Sequence, residues 1–166
     1  MLRKTATVFL MASALVGLGV LAATATTATT GSDSCPHGRA AVIDVAYVIF
    51  HADGTSNNVT TLRGNVRLGD TVNALFNVPA LPSGCAQVEI SLASYSSSAG
   101  PAIRNLALFS SESLEFLPGG RYELSVTVAP APPAGAPAVF FRLYFATGPV
   151  LIPPHYGPNR IASAKN

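Results

Sequence analysis

The run Arg121 to Val128, "RYELSVTV", sets Tyr122, Leu124, Val126 and Val128 on one side and Arg121, Glu123, Ser125 and Thr127 on the other. Side chains of an extended chain point alternately to opposite faces, so a period of two predicts a half-buried antiparallel strand. The same alternation predicts Val72, Ala74, Phe76 and Val78 facing inward in "TVNALFNV", and Val88, Ile90 and Leu92 in "QVEISLA". Shorter runs suggest Leu106 with Leu108, and Leu114 with Phe116, as further inward pairs. In "AVFFRLYFAT", Val139, Phe141, Leu143 and Phe145 share a face while Phe140, Arg142 and Tyr144 occupy the other. Ala41 to Phe50 is apolar on both faces, which predicts an inner strand in which Asp44 requires a partner.

No stretch sustains a period of 3.6, and turn signals recur at Gly69-Asp70, Pro82-Ser83-Gly84, Ala99-Gly100-Pro101 and Pro118-Gly119-Gly120. Short strands at this spacing predict an all-β chain folded as a single antiparallel β-sandwich, immunoglobulin-like or prealbumin-like, of about seven to nine strands. "APAPPAGAP", Ala129 to Pro137, breaks the pattern with four prolines. It reads as a stiff hairpin connection between the last two long strands, or as a spacer-like insertion.

Arg3 and Lys4, an apolar run from Val8 to Ala23, and the small triplet Ala23-Thr24-Ala25 have the three-part form of an export signal. Residues 1–25 are expected to be the signal peptide, with cleavage after Ala25, or after Ala23 or Ala28. An uncleaved anchor is the competing reading, against which the run is short and rich in Ala and Gly. Residues 26–34 form a Thr/Ser-rich flexible leader, and residues 35–166 the sandwich domain. The expected location is therefore secreted, extracellular or loosely associated with the cell surface, with no stable membrane span after cleavage.

Charge narrows the partners. The chain carries 10 basic and 8 acidic residues, and setting aside Arg3 and Lys4 leaves eight of each. A balanced chain with only 11% charged residues makes no electrostatic case for nucleic acid. Cys35 and Cys85 are the only cysteines. In an oxidising compartment they are expected to pair, free or intermolecular thiols being the alternative.

Chemical motifs are sparse. The histidines are His37, His51 and His155, and the one close pairing, His51-x-Asp53, lacks the third or fourth ligand that a zinc site needs. "DGTSNN" from Asp53 lacks the acidic spacing and closing Glu of a calcium loop and reads as a turn. There is no Gly-x-Ser-x-Gly elbow, and the serines at 96–98 and 110–111 fall in expected loops. Glu112 and Glu115 read as an exposed strand start rather than a glycosidase pair. No cofactor is expected. The alternating Phe140, Arg142 and Tyr144 either pack against the other sheet or a loop or form the candidate binding surface, and Asn58-Val59-Thr60 fits a glycosylation acceptor.

Gly84-Cys85 leading into a strand that ends in Ser94-Tyr95, then Phe116-Leu117-Pro118-Gly119 before an alternating strand, then the aromatic strand at Phe140-Phe141, together resemble a group of small domains. These are secreted all-β domains of Gram-positive actinobacteria, and the resemblance covers about residues 84–166. It implies an extracellular β-domain of a kind mostly without an assigned activity. The chain departs from that pattern by carrying Ala129 to Pro137 where a short connection with a cysteine is expected, which leaves Cys35 as the only intramolecular partner for Cys85.

The expected function is a non-catalytic binding or structural module, its partner an extracellular protein or a cell-wall glycan. The competing expectation is a small secreted hydrolase or enzyme inhibitor, with Ala129 to Pro137 as the inhibitory loop.

Overall fold

The structure, a computed structural model, describes residues 35–151 and 159–166. The expected signal peptide, the 26–34 leader and His155 lie outside the described residues. The chain enters through a 3₁₀ turn, Gly38–Ala41, and continues as β1 (Ile43–Phe50), β2 (Ser56–Val59), β3 (Thr71–Asn77) and β4 (Val88–Ser97). A second 3₁₀ turn, Ile103–Asn105, leads to β5 (Ala107–Phe116), β6 (Arg121–Thr127), β7 (Phe140–Thr147) and β8 (Arg160–Lys165).

The strands form two four-stranded antiparallel sheets, ordered β2-β1-β3-β6 and β5-β4-β7-β8. In strand order, β1-β3-β6 takes the places A-B-E and β5-β4-β7-β8 the places C′-C-F-G of an immunoglobulin-type sandwich. Of the two sandwich types expected, the topology is the immunoglobulin one. A counterpart of strand D is missing among the described residues, and β2 instead extends the sheet beyond β1.

Register explains the core. Val72 lies opposite Val126 and Ala74 opposite Leu124 in the first sheet, and Leu92 lies opposite Phe145 in the second. All six are at most 2% exposed. Phe76 is at the centre, its ring 5.2 Å from Phe116 and 5.3 Å from Phe145. Ser94 is buried between the sheets, where its hydroxyl donates to the Thr127 carbonyl at 2.5 Å. A buried hydroxyl at such a position needs this partner to offset its desolvation.

Where alternation misleads, a cause is visible. Leu108 is 51% exposed because the β4–β5 register shifts between Ser94 and Tyr95, which puts Leu108 opposite outward-facing Tyr95. Leu106 precedes the strand and is buried on that same outer face, with Ala93, Tyr95 and Tyr144. Leu114 lies opposite buried Ile90 yet is 50% exposed, since β5 is the edge strand of its sheet. β1 is an inner strand as expected, but only Tyr47 and Ile49 are buried in it, while Ile43 and Phe50 face solvent. Asp44 sits at a register shift with φ 53° and accepts a hydrogen bond from Asn77 Nδ2 at 2.8 Å.

The proline-rich segment is not a hairpin: it carries the chain from β6 in one sheet to β7 in the other. Ser96, Ser97, Ser110 and Ser111, expected in loops, belong to β4 and β5.

The β5–β6 corner, which also crosses between the sheets, is closed by Tyr122. Its hydroxyl donates to the Leu117 carbonyl at 2.9 Å, and its ring lies 4.6 Å from Phe116. Gly120 permits this, because a Cβ there would come within 2.3 Å of the ring. Tyr122→Phe keeps the ring packing and removes one hydrogen bond, so it is expected to lower stability by about 1 kcal/mol. Urea unfolding checks this: the midpoint should fall without a change in slope, and an unchanged midpoint would exclude a role for the hydroxyl.

Candidate functional site

β7 and β8 pair so that Arg142 lies directly opposite Lys165 and Tyr144 opposite Ser163. Phe141, Leu143 and Phe145 point into the core, so Arg142 and Tyr144 point to the outer face of the sheet. Tyr144 is 5% exposed, its ring edge-on to Tyr95 at 5.9 Å. Arg142 is half-buried and donates to the Tyr144 hydroxyl at 3.2 Å and to the Pro101 carbonyl at 3.5 Å. The alternating triplet Phe140, Arg142 and Tyr144 is therefore no open aromatic platform, since loop residues around Leu106 and Val150 pack over its second ring.

Two of the three nevertheless border a cleft. A concavity of about 230 Å³ is lined by Arg142, Tyr144, Ser163, Ala164 and Lys165, together with Arg160 and with Arg63 from the segment after β2. A second concavity, of about 210 Å³, shares Arg63, Arg160 and Ser163 with the first and adds Arg39 and Thr61. The two lie side by side along β8. Arg39 is anchored there by its Nε–H, which donates to the Ile161 carbonyl at 3.1 Å. No carboxylate lines either concavity.

Four acidic residues, Glu89, Glu112, Glu115 and Glu123, lie instead on β4, β5 and β6. β5 and β8 are opposite edges of their sheet, so residues 35–166, with eight basic and seven acidic side chains, nearly cancel in total charge but are divided in its distribution. Glu112, considered above beside Glu115, accepts the Ser125 backbone N–H at 2.6 Å, which covers one position on the free edge of β6.

A second polar cluster lies at the corner where β1 ends and β3 begins. His51 and Asp70 are 8% and 1% exposed, with Nδ1 and Oδ1 3.1 Å apart. That contact lacks the alignment of a hydrogen bond, and His51 Nδ1 makes no other. Nε2 lies 3.1 Å from Asn57 Nδ2, and the second carboxylate oxygen of Asp70 accepts the Arg67 N–H at 2.7 Å. His51 is thus placed by Asp70, 19 positions away in sequence, and not by Asp53. Asp53 accepts the Thr55 hydroxyl at 2.6 Å and its N–H at 2.9 Å, bonds that hold its carboxyl below the usual range. Asp53 to Thr55 is accordingly a self-bonded turn, while Ser56 to Asn58, expected to continue it, begin β2. His51 has an amide, not a hydroxyl nucleophile, at its second nitrogen, and neither His51 nor Asp70 lines the concavities above. His37 is exposed beside the entry turn.

Cys35 and Cys85 form a disulfide with Cα atoms 5.2 Å apart. Next to it, the Gly38 N–H donates to the Thr147 hydroxyl oxygen at 2.9 Å. The start of the domain is thereby fixed to the same sheet that carries the basic cleft. Tyr47, behind Arg39, is buried, and burial pushes its hydroxyl well above the usual phenol range, with the Arg39 charge opposing.

β8 and the basic cleft were the features hidden from sequence reasoning. "RIASAK" has only one large apolar residue, and the approach of Arg63 and Arg160 depends on tertiary structure. No helix among the described residues is long and apolar enough to cross a membrane. No protein-family model, curated protein or solved structure matches the chain.

Proposed function

We propose that this protein is an extracellular, non-catalytic binding module that takes its ligand on the outer face of β7 and β8. The observation that carries the reading is the cross-strand placement of Arg142 and Lys165. Like charges directly opposite on one sheet face destabilise the pairing. Arg63 and Arg160 add two more cations around the same cleft, an arrangement unfavourable for the empty domain and favourable for a bound one.

The disulfide and the entry turn tied to β7 fit a module that works outside the cell. The buried His51–Asp70 pair fits a structural role in closing a corner, for it has no nucleophile beside it and no cleft in front of it.

Co-sedimentation with insoluble Gram-positive cell walls tests the reading. The protein is expected to pellet with the walls and to release no soluble saccharide from them. Failure to pellet would count against wall glycan as the partner, and saccharide release would replace the module by a hydrolase.

One observation favours the inhibitor reading as an alternative: Pro130, Ala131, Pro133, Ala136 and Pro137 are exposed and line a concavity of about 520 Å³. On that reading, shortening Ala129 to Pro137 abolishes binding to a target protease. Binding that survives the shortening excludes it.

A further inference from the structure

We infer that the groove along β8 binds a linear anionic glycan, a saccharide chain carrying phosphate or carboxylate groups at intervals; this rests on the binding-module reading above. Five of the eight basic residues that remain once Arg3 and Lys4 are set aside lie along this groove: Arg39, Arg63, Arg142, Arg160 and Lys165. The only contact between a basic and an acidic side chain among the described residues is His51–Asp70, so these five cations have no carboxylate partner there.

Four of the five are arginines. A guanidinium presents a planar fork of donors that meets two oxygens of a carboxylate or phosphate at once, which a hydrated ammonium does not do. The groove thus suits oxyanions in particular, not negative charge in general.

Its shape argues for a chain of them. Two adjoining concavities that share Arg63, Arg160 and Ser163 set cations at both ends and in the middle. Ser163 and Thr61 supply hydroxyls between the charges, as saccharide hydroxyls require.

Nucleic acid is the other polyanion, and the groove suits it poorly. Single strands are held by stacking bases on open aromatic faces, and the one aromatic residue in the groove, Tyr144, is 5% exposed and packed against Tyr95. A duplex needs a broad basic surface, whereas here the opposite edge strand carries Glu112 and Glu115, with Glu89 on the strand beside it.

Isothermal titration of the purified protein with four probes tests the inference: a glycerol-phosphate oligomer, an oligogalacturonate, a neutral dextran oligomer and a short DNA duplex. One or both anionic oligomers are expected to bind, which also distinguishes phosphate from carboxylate, and dextran is not. Raising the salt until the Debye length falls from about 10 to about 3 Å should weaken binding at least about tenfold.

Arg63→Gln/Arg160→Gln is expected to lose about tenfold or more, while Arg104→Gln/Arg121→Gln, outside the groove, stays within about twofold. All four side chains are exposed, and matching melting temperatures establish that the variants fold. Lys165→Gln serves as the independent single change in the same groove, with a smaller loss expected.

Equal losses from both double variants, salt-independent binding, equal affinity for dextran, or tighter binding of the duplex would each overturn the inference. If the anionic oligomers fail and cell walls still pellet the protein, the anionic chemistry is wrong and the binding-module reading stands. If neither binds, the anionic-glycan inference falls and wall glycan is excluded as the module's partner.

Discussion

Replacing both cysteines, Cys35→Ala/Cys85→Ala, is expected to lower the unfolding free energy by about 4 kcal/mol, the loop-closure entropy of a crosslink spanning 50 positions. A domain of this size has a net stability of roughly 5–15 kcal/mol, so the variant should fold but melt far below the parent. The loss falls chiefly on the unfolded state, because Gly38 and Arg39 still hold the entry segment through Thr147 and Ile161. Urea unfolding with and without reductant measures it directly. A difference below about 1 kcal/mol would mean that the crosslink restrains little that the fold does not already restrain.

Asp70→Ala is expected to cost about 3 kcal/mol, a comparable effect with a different origin. Asp70 is 1% exposed and joins two segments: its carboxylate accepts the Arg67 N–H and lies against His51, while its backbone carbonyl accepts the Val128 N–H at 2.8 Å. Truncation leaves the Arg67 N–H without its acceptor and the imidazole without the carboxylate that lies against it, in a site that admits little water. The backbone bond to Val128 survives, so the strands should pair as before. Thermal unfolding is the measurement, with binding to the anionic oligomers as the second readout. A structural role predicts a lowered melting temperature with unchanged affinity below it. Loss of function at unchanged stability would point to a catalytic pair instead.

Much of this fold was legible because alternation reports burial on a two-layer sandwich. Leu124, Val126 and Val128 on β6 and its C-terminal extension are buried in sequence order, as are Val72, Ala74, Phe76 and Val78. What failed had local causes. One register shift turned Leu108 outward, and an edge position left Leu114 uncovered. β2 and β8 went unnoticed because "SNNV" and "RIASAK" carry too few apolar residues to show a period.

The site was less legible than the fold. Arg142 and Tyr144 were marked by their alternation with core residues, but their neighbours Lys165, Ser163 and Arg160 come from a strand that no period announced. Charge counting even argued against a basic surface, since a sum over the chain conceals where the charges lie. His51 was matched to Asp53 by proximity in sequence, and only the pairing of β1 with β3 brings Asp70 to it.

The central claim is that ligand is held on the outer face of β7 and β8. Hydrogen exchange of the backbone amides, with and without bound cell-wall polysaccharide, tests it most directly, since it reads where the ligand sits. The account predicts slowed exchange in β8 and in the segment around Arg63, with no change near His51 and Asp70. Protection confined to Ala129 to Pro137, or centred on the His51–Asp70 corner, would contradict it.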